Sequence, residues 1–100
     1  MEYKIIWSKF AVYQLDLIFN YYAEVGNAML AKKIIFLIRD NVLVLKTSPF
    51  IGKIEALLAD RPQNYRHLII SNYKVIYAVN EQTKTLRIVD IFDTRQNQKN

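Results

Sequence analysis

Residues Tyr65–Phe92 read YRHLIISNYKVIYAVNEQTKTLRIVDIF, and this stretch decides the fold. Tyr65–Ile70 is a run of aromatic and β-branched residues, and Ser71-Asn72 is a two-residue turn of the tight hairpin kind. Tyr73–Val79 alternates cleanly, which places Tyr73, Val75, Tyr77 and Val79 on one face. After a polar turn at Glu81–Lys84, Leu86–Phe92 is apolar on both faces, so it needs strand neighbours on either side. Three strands joined by short turns make an antiparallel meander with one face to cover.

The cover lies upstream. Tyr3–Trp7 is a short aromatic and β-branched strand, and Ser8 follows where an N-cap belongs. Phe10, Ala11, Leu15, Ile18, Phe19 and Tyr22 then recur at helical spacing, predicting one helix that ends near Gly26. Gly26-Asn27 reads as a C-cap followed at once by the next N-cap. A second helix is expected from about Ala28 to Lys46, with Ala31, Ile34, Ile35, Ile38, Val42 and Leu45 inward; Ser48-Pro49 stops it. So short a joint predicts an antiparallel helix hairpin. Pro49–Asn64 is the least regular part, with a short helical segment expected at Ile54–Leu58. The order β-α-α-β-β-β is an α+β class: a helix hairpin packed on a mainly antiparallel sheet, one domain spanning residues 1–100.

Composition removes several functions. The chain has no cysteine and one histidine, His67, so thiolate zinc sites, disulfides and Cys–His nucleophiles are out. Its two glycines stand far apart, so no glycine-rich phosphate loop exists. No metal and no cofactor are implied. The N-terminus does not resemble a signal peptide and no apolar run is long enough to span a membrane, so a soluble cytoplasmic protein is expected.

What remains is cationic. The net charge is +5, and residues 61–100 carry seven Lys/Arg against three Asp/Glu, whereas residues 1–60 carry seven against six. A basic sheet region draws polyanions, either nucleic acid or an acidic peptide; the alternative is a charge that serves solubility alone. Arg66 and Lys74 flank the Ser71-Asn72 turn, and Arg95 lies just beyond the last strand. The meander is expected to gather these three into one patch that binds phosphates or stabilises charge on a transferred phosphoryl group without metal. Tyr65 and Tyr73 are candidates to stack on bases. Read singly, each cation is a solvated edge charge and each tyrosine a core residue with its hydroxyl at the rim. Asp90 and Asp93 are expected to pair with Arg87 or Arg95.

The element order resembles the RelE/ParE toxin superfamily, the plasmid-stabilisation toxins of type II toxin–antitoxin systems. So do the strands Tyr65-Arg66 … Tyr73-Lys74-Val75-Ile76-Tyr77 and Ile88-Val89-Asp90-Ile91-Phe92-Asp93-Thr94-Arg95-Gln96-Asn97. The resemblance covers nearly the whole chain and implies a growth-inhibiting toxin neutralised by a cognate antitoxin. RelE-like members cut mRNA on the ribosome as metal-free endoribonucleases; ParE-like members act on DNA gyrase and are not enzymes. Carried over by position, Arg66 and Arg95 match basic residues of the RelE catalytic set, and Lys74 stands where an arginine is usual. Leu68 replaces a second lysine, and the chain ends five residues after Arg95, without the helix bearing the usual tyrosine acid/base. His67, Tyr65 or Asp93 would have to substitute. This incomplete set favours the gyrase-directed branch over the RelE-like one. A third reading, from another class, is a non-toxic nucleic-acid or protein-binding module.

Overall fold

A computed structural model describes residues 2–95. Of the polar tail expected from Asp93 to Asn100, residues 96–100 lie outside the described residues, and Asp93 itself closes the last strand. The elements run β1 (Lys4–Trp7), α1 (Lys9–Val25), α2 (Ala28–Val42), β2 (Lys53–Ile54), β3 (Asn64–Ile70), β4 (Tyr73–Asn80) and β5 (Thr85–Asp93). They form a five-stranded sheet of order β1-β5-β4-β3-β2, antiparallel except where β1 runs parallel to β5. The helix hairpin lies on one face. This is the expected α+β architecture, with one strand more than the sequence suggested.

Both helix starts follow from their caps. Ser8 is extended, and its Oγ accepts the Ala11 amide at 3.0 Å; Asn27 Oδ1 accepts the Leu30 amide at 2.8 Å. Each cap satisfies an amide that the helix itself leaves unpaired. Along α1, Ala11 is fully buried and Leu15, Ile18 and Tyr22 pack against the core, but Phe10, expected on the buried stripe, is 53% exposed. Ala11 takes the position nearest the sheet, and the preceding residue is rotated by about 100° to the outer side. The second helix stops earlier than expected. From Leu43 to Lys46 the chain tightens into a 3-10 turn, which buries Leu45 and lets the Lys46 carbonyl accept the Tyr3 amide at 2.8 Å.

The predicted face of β4 holds: Tyr73, Val75, Tyr77 and Val79 are buried, joined by Leu86, Ile88 and Ile91 of β5 and by Ile38, Val42 and Leu45. β5 lies between β1 and β4, as its two apolar faces required. Beyond Trp7 its edge has no strand partner among the described residues and is covered by α1: Gln14 Nε2 donates to the Ile91 carbonyl at 3.1 Å and to Asp90 Oδ1 at 3.0 Å. In the hairpin, Ser71 adopts a positive φ of 58°, as a primed turn demands. At the Glu81–Lys84 turn, Asn80 Oδ1 accepts the amides of Gln82 and Thr83.

The irregular segment after α2 is fastened by one buried hydroxyl. Tyr77 Oη donates to the Pro49 carbonyl at 2.8 Å and accepts the Gly52 amide at 3.0 Å. Gly52 is needed for closeness, since a Cβ there would stand 2.5 Å from the His67 carbonyl oxygen and 2.6 Å from Tyr77 Oη. From this anchor the chain enters β2, which was not anticipated, and then a 3-10 turn at Ala56–Leu58, within the segment where a short helix was expected. Tyr77→Phe strands the Pro49 carbonyl and the Gly52 amide. It is expected to lower the unfolding free energy by about 1–3 kcal/mol, read as a reduced guanidinium midpoint at unchanged slope. Gly52→Ala is expected to cost more than Tyr77→Phe in the same measurement, because backbone oxygen cannot move aside as a side chain can.

Candidate functional site

Strand parity assigns the side chains of β3 and β4 to one of two faces, whereas on β5 a register shift opposite Ile76 and Tyr77 interrupts the alternation. Directly opposed residues share a face, so Arg66↔Tyr77 places Arg66 on the helix side, with Leu68↔Val75 and Ile70↔Tyr73. His67↔Ile76 and Ile69↔Lys74 place His67 and Lys74 on the opposite, open face, which Tyr65 shares through Ala78. The expectation that Arg66, Lys74 and Arg95 converge on one patch is therefore not met. Arg66 and Lys74 occupy opposite faces of the sheet, and Arg95 sits at a third place, the end of β5.

Each of these cations is also engaged locally. Arg66 Nη1 donates to the carbonyls of Phe50 and Gly52 at 3.2 and 2.8 Å, its Nε reaches Asn64 Oδ1, and its guanidinium lies 5.0 Å from the Phe50 ring centroid. It clamps the segment that Tyr77 anchors. Lys74 Nζ lies 2.9 Å from Glu55 Oε1, an acid that is only 3% exposed. Arg95 makes a two-pronged pair with Asp93, Nε to Oδ1 at 3.1 Å and Nη2 to Oδ2 at 3.0 Å, and its backbone amide adds a third bond to the same carboxylate. The pairing of Asp93 with Arg95 read from the sequence is thus present, whereas Asp90 is held by Gln14. These hydrogen bonds hold the Asp93 carboxyl below its ordinary range and push the Arg95 guanidinium further up.

Two polar groupings result. On the helix side, Tyr73 Oη donates to Tyr22 Oη at 2.9 Å close to the Asp93–Arg95 pair, and burial raises the Tyr73 phenol further. Tyr73, a candidate for base stacking, is therefore a core residue whose hydroxyl joins α1 to the sheet. On the open face, Glu55 lies 2.9 Å from both His67 Nδ1 and Lys74 Nζ. Sequence reasoning named His67 and Lys74 but missed Glu55, because it follows a two-residue strand hidden in the least regular stretch. Burial pushes the Glu55 carboxyl up, but the bond and charge of Lys74, with help from the Leu57 amide and His67, leave it below the ordinary 4.5. Leu68 faces the core, so a lysine there would not reach the open face beside Lys74.

Beside this trio the open face is concave, a hollow of about 610 Å³ edged by Ile6, Tyr65, Asn80, Arg87 and Val89. Among the described residues no group of three His, Cys, Asp or Glu side chains is placed to hold a metal ion. No described helix is long and apolar enough to cross a membrane. What the surface offers is recognition through aromatic, amide and guanidinium groups, with one charge-compensated His–Glu–Lys cluster.

A family model described as the ParE toxin of the type II toxin–antitoxin system parDE matches residues 5–98. Among solved structures, the chromosomal ParDE toxin–antitoxin system from P. aeruginosa superposes with a TM-score of 0.76 at 20% identity, over 92% of this chain and 96% of that one. The toxin–antitoxin complex RelBE2 from Mycobacterium tuberculosis aligns with a TM-score of 0.60 at 17% identity, over 93% and 99%. No curated protein matches the sequence. At such identities the structural likeness speaks for the fold.

Because the folded pKa of Glu55 lies below its ordinary 4.5, its contribution to stability is complete above that pH and is lost as the pH falls through the depressed value. Wild-type unfolding free energy is expected to fall on acidification below about pH 4.5, with Asp93 adding to the loss in the same direction. Glu55→Gln is expected to be less stable at neutral pH by about 1–3 kcal/mol, since Lys74 loses its counter-charge, and to show a shallower acid limb. Equal acid limbs for the two proteins in urea titrations would contradict the assignment.

Proposed function

The chain belongs to the ParE toxin family of type II toxin–antitoxin systems, and we propose that it arrests bacterial growth by acting on DNA gyrase. It works in the cytoplasm and is held inactive there by a cognate antitoxin. The observation that carries the gyrase reading is the fate of the three cations carried over from the RelE catalytic set. Arg66 is turned to the helix side and used to clamp Phe50–Gly52, Lys74 is compensated by Glu55, and Arg95 by Asp93. Metal-free phosphoryl transfer needs donors gathered around one developing charge, together with a base and an acid. Three cations at three separate places do not supply that. A protein that works by binding needs only shape and surface chemistry, and the concave open face offers both.

The antitoxin follows from the family and from charge. A toxin co-expressed with its inhibitor has to be covered by a partner, and a chain of net charge +5 suits an acidic one. The P. aeruginosa and M. tuberculosis relatives were solved as toxin–antitoxin systems, which supports the same arrangement here.

Induced expression is expected to halt growth of a bacterial host, and co-expression of the adjacent small gene to restore it. Purified protein is expected to inhibit supercoiling by gyrase and to leave ribosome-bound mRNA intact. Ribosome-dependent cleavage that Arg95→Ala abolishes would replace the gyrase reading with the RelE-like one. Unimpeded growth would leave only a binding module.

A further inference from the structure

We infer that the open-face hollow beside the β4–β5 turn seats one unpaired nucleotide of a single-stranded nucleic acid, its base on Tyr65 and its phosphate on Arg87. The inference goes beyond the gyrase reading and does not rest on it.

Register builds the seat. Tyr65 lies opposite Ala78, Ala78 opposite Arg87, and Arg87 opposite Ile6, so four adjacent strands place these residues in one row across the open face. The shift at Ile76/Tyr77 falls outside the row, so parity holds along it. Ala78 contributes a single methyl between two long side chains, which accounts for the hollow of about 610 Å³ at this place. Neighbouring strands lie about 4.8 Å apart, so Tyr65 and Arg87 are rooted roughly 10 Å from each other. A flat ring touching a wall on each side needs about 7–8 Å between the walls, since carbon atoms meet at about 3.5–4.0 Å. The gap therefore admits one planar ring, with Ala78 as its floor.

The groups around that gap select the ligand. Of the cations on β3, β4 and β5, Arg66 is engaged by the carbonyls of Phe50 and Gly52, and Lys74 by Glu55. Arg87 is exposed and has neither an ion pair nor a hydrogen bond among the described residues. Its guanidinium is a planar fork of donors that matches phosphate oxygens. Tyr65, half-buried, offers a ring on which any base stacks. At the rim, Asn80 Oδ1 is taken by the Gln82 and Thr83 amides, which leaves its Nδ2 to donate to a base edge. Glu81 is the one carboxylate among the described residues lining the hollow. It disfavours phosphate at the turn end and accepts from an exocyclic base amine there.

A strand suits the seat better than a free nucleotide or a duplex. A free nucleotide meets one guanidinium, whereas a strand brings adjacent phosphates to the exposed Lys4, which stands opposite Thr85 in the next row. A duplex keeps its bases inside the stack, where Tyr65 cannot reach them.

The test titrates the purified chain into a fluorescein-labelled single-stranded deoxythymidine octamer at low salt and follows anisotropy. Saturable binding is expected, with AMP alone and a duplex of the same length each about tenfold weaker or more. Tyr65→Ala is expected to weaken binding about fivefold or more, the loss of one stacked base, and Tyr65→Phe to stay within about twofold. Arg87→Ala is expected to weaken it comparably and to reduce the slope of log affinity against log salt by about 0.7. Ala78→Leu changes no charge but fills the floor, and is expected to weaken binding about fivefold or more at an unchanged unfolding midpoint. Lys32→Ala with Lys33→Ala removes twice the charge of Arg87→Ala from the exposed side of α2, and is expected to change affinity less than about twofold. A double variant that loses as much as Arg87→Ala, with Tyr65→Ala binding like wild type, would mean diffuse attraction to charge and overturns the seat. So does an octamer that fails to bind, or AMP or duplex that binds as tightly as the strand.

Discussion

A helix hairpin that covers one face of a sheet turns strand parity into the controlling constraint of this protein. Side chains alternate with a period of two, so a residue either meets α1 and α2 or meets water. The strand register then propagates that assignment from β4 to both neighbours. Tyr73, Val75, Tyr77 and Val79 go inward, and their partners Ile70, Leu68 and Arg66 follow on β3. The polar chemistry is divided the same way, with Tyr73, Arg66 and Asp93 on the covered side and His67 and Lys74 on the open one.

The covered side is held by hydrogen bonds that join distant parts of the chain. Tyr77 and Arg66 together fasten residues 49–52, which carry no regular structure of their own. Tyr73 meets Tyr22 of α1, and Thr94 Oγ1 donates to the Asn72 carbonyl at 3.0 Å, tying the end of β5 to the β3–β4 turn. Fixing residues 49–52 in turn sets β2 beside β3, and so delivers Glu55 to His67 and Lys74. A buried acid held between a lysine and a histidine is thereby a consequence of the Tyr77 anchor. Removing one partner of such a cluster is costly because the remaining charge stays in a poorly solvated place.

The surfaces outside the core differ in character. The open face is concave and carries mixed aromatic and polar groups. The β1 edge with its apolar trough lies on the other flank of the sheet from the Glu55 cluster.

Much of the fold was legible in the residues. The alternation of Tyr73–Val79, the doubly apolar Leu86–Phe92, the caps Ser8 and Asn27, and the Gly26-Asn27 joint are local signals, and local physics made them reliable. The family was legible too, because its signature lies within those same strands. The 3-10 ending of α2, the two-residue β2 and the exposure of Phe10 were not, since each depends on where a distant element docks. The candidate site was least legible of all. Arg66 and Lys74 look equivalent in sequence, each following a tyrosine at the head of a strand, yet the antiparallel register and the one-sided helix cover put them on opposite faces. Glu55 gave no signal, because its meaning comes from His67 and Lys74 across the sheet. Sequence periodicity determined which elements exist and which strand faces are apolar; only the tertiary structure decided which charges meet, because charge pairing depends on register and docking between segments far apart in the chain.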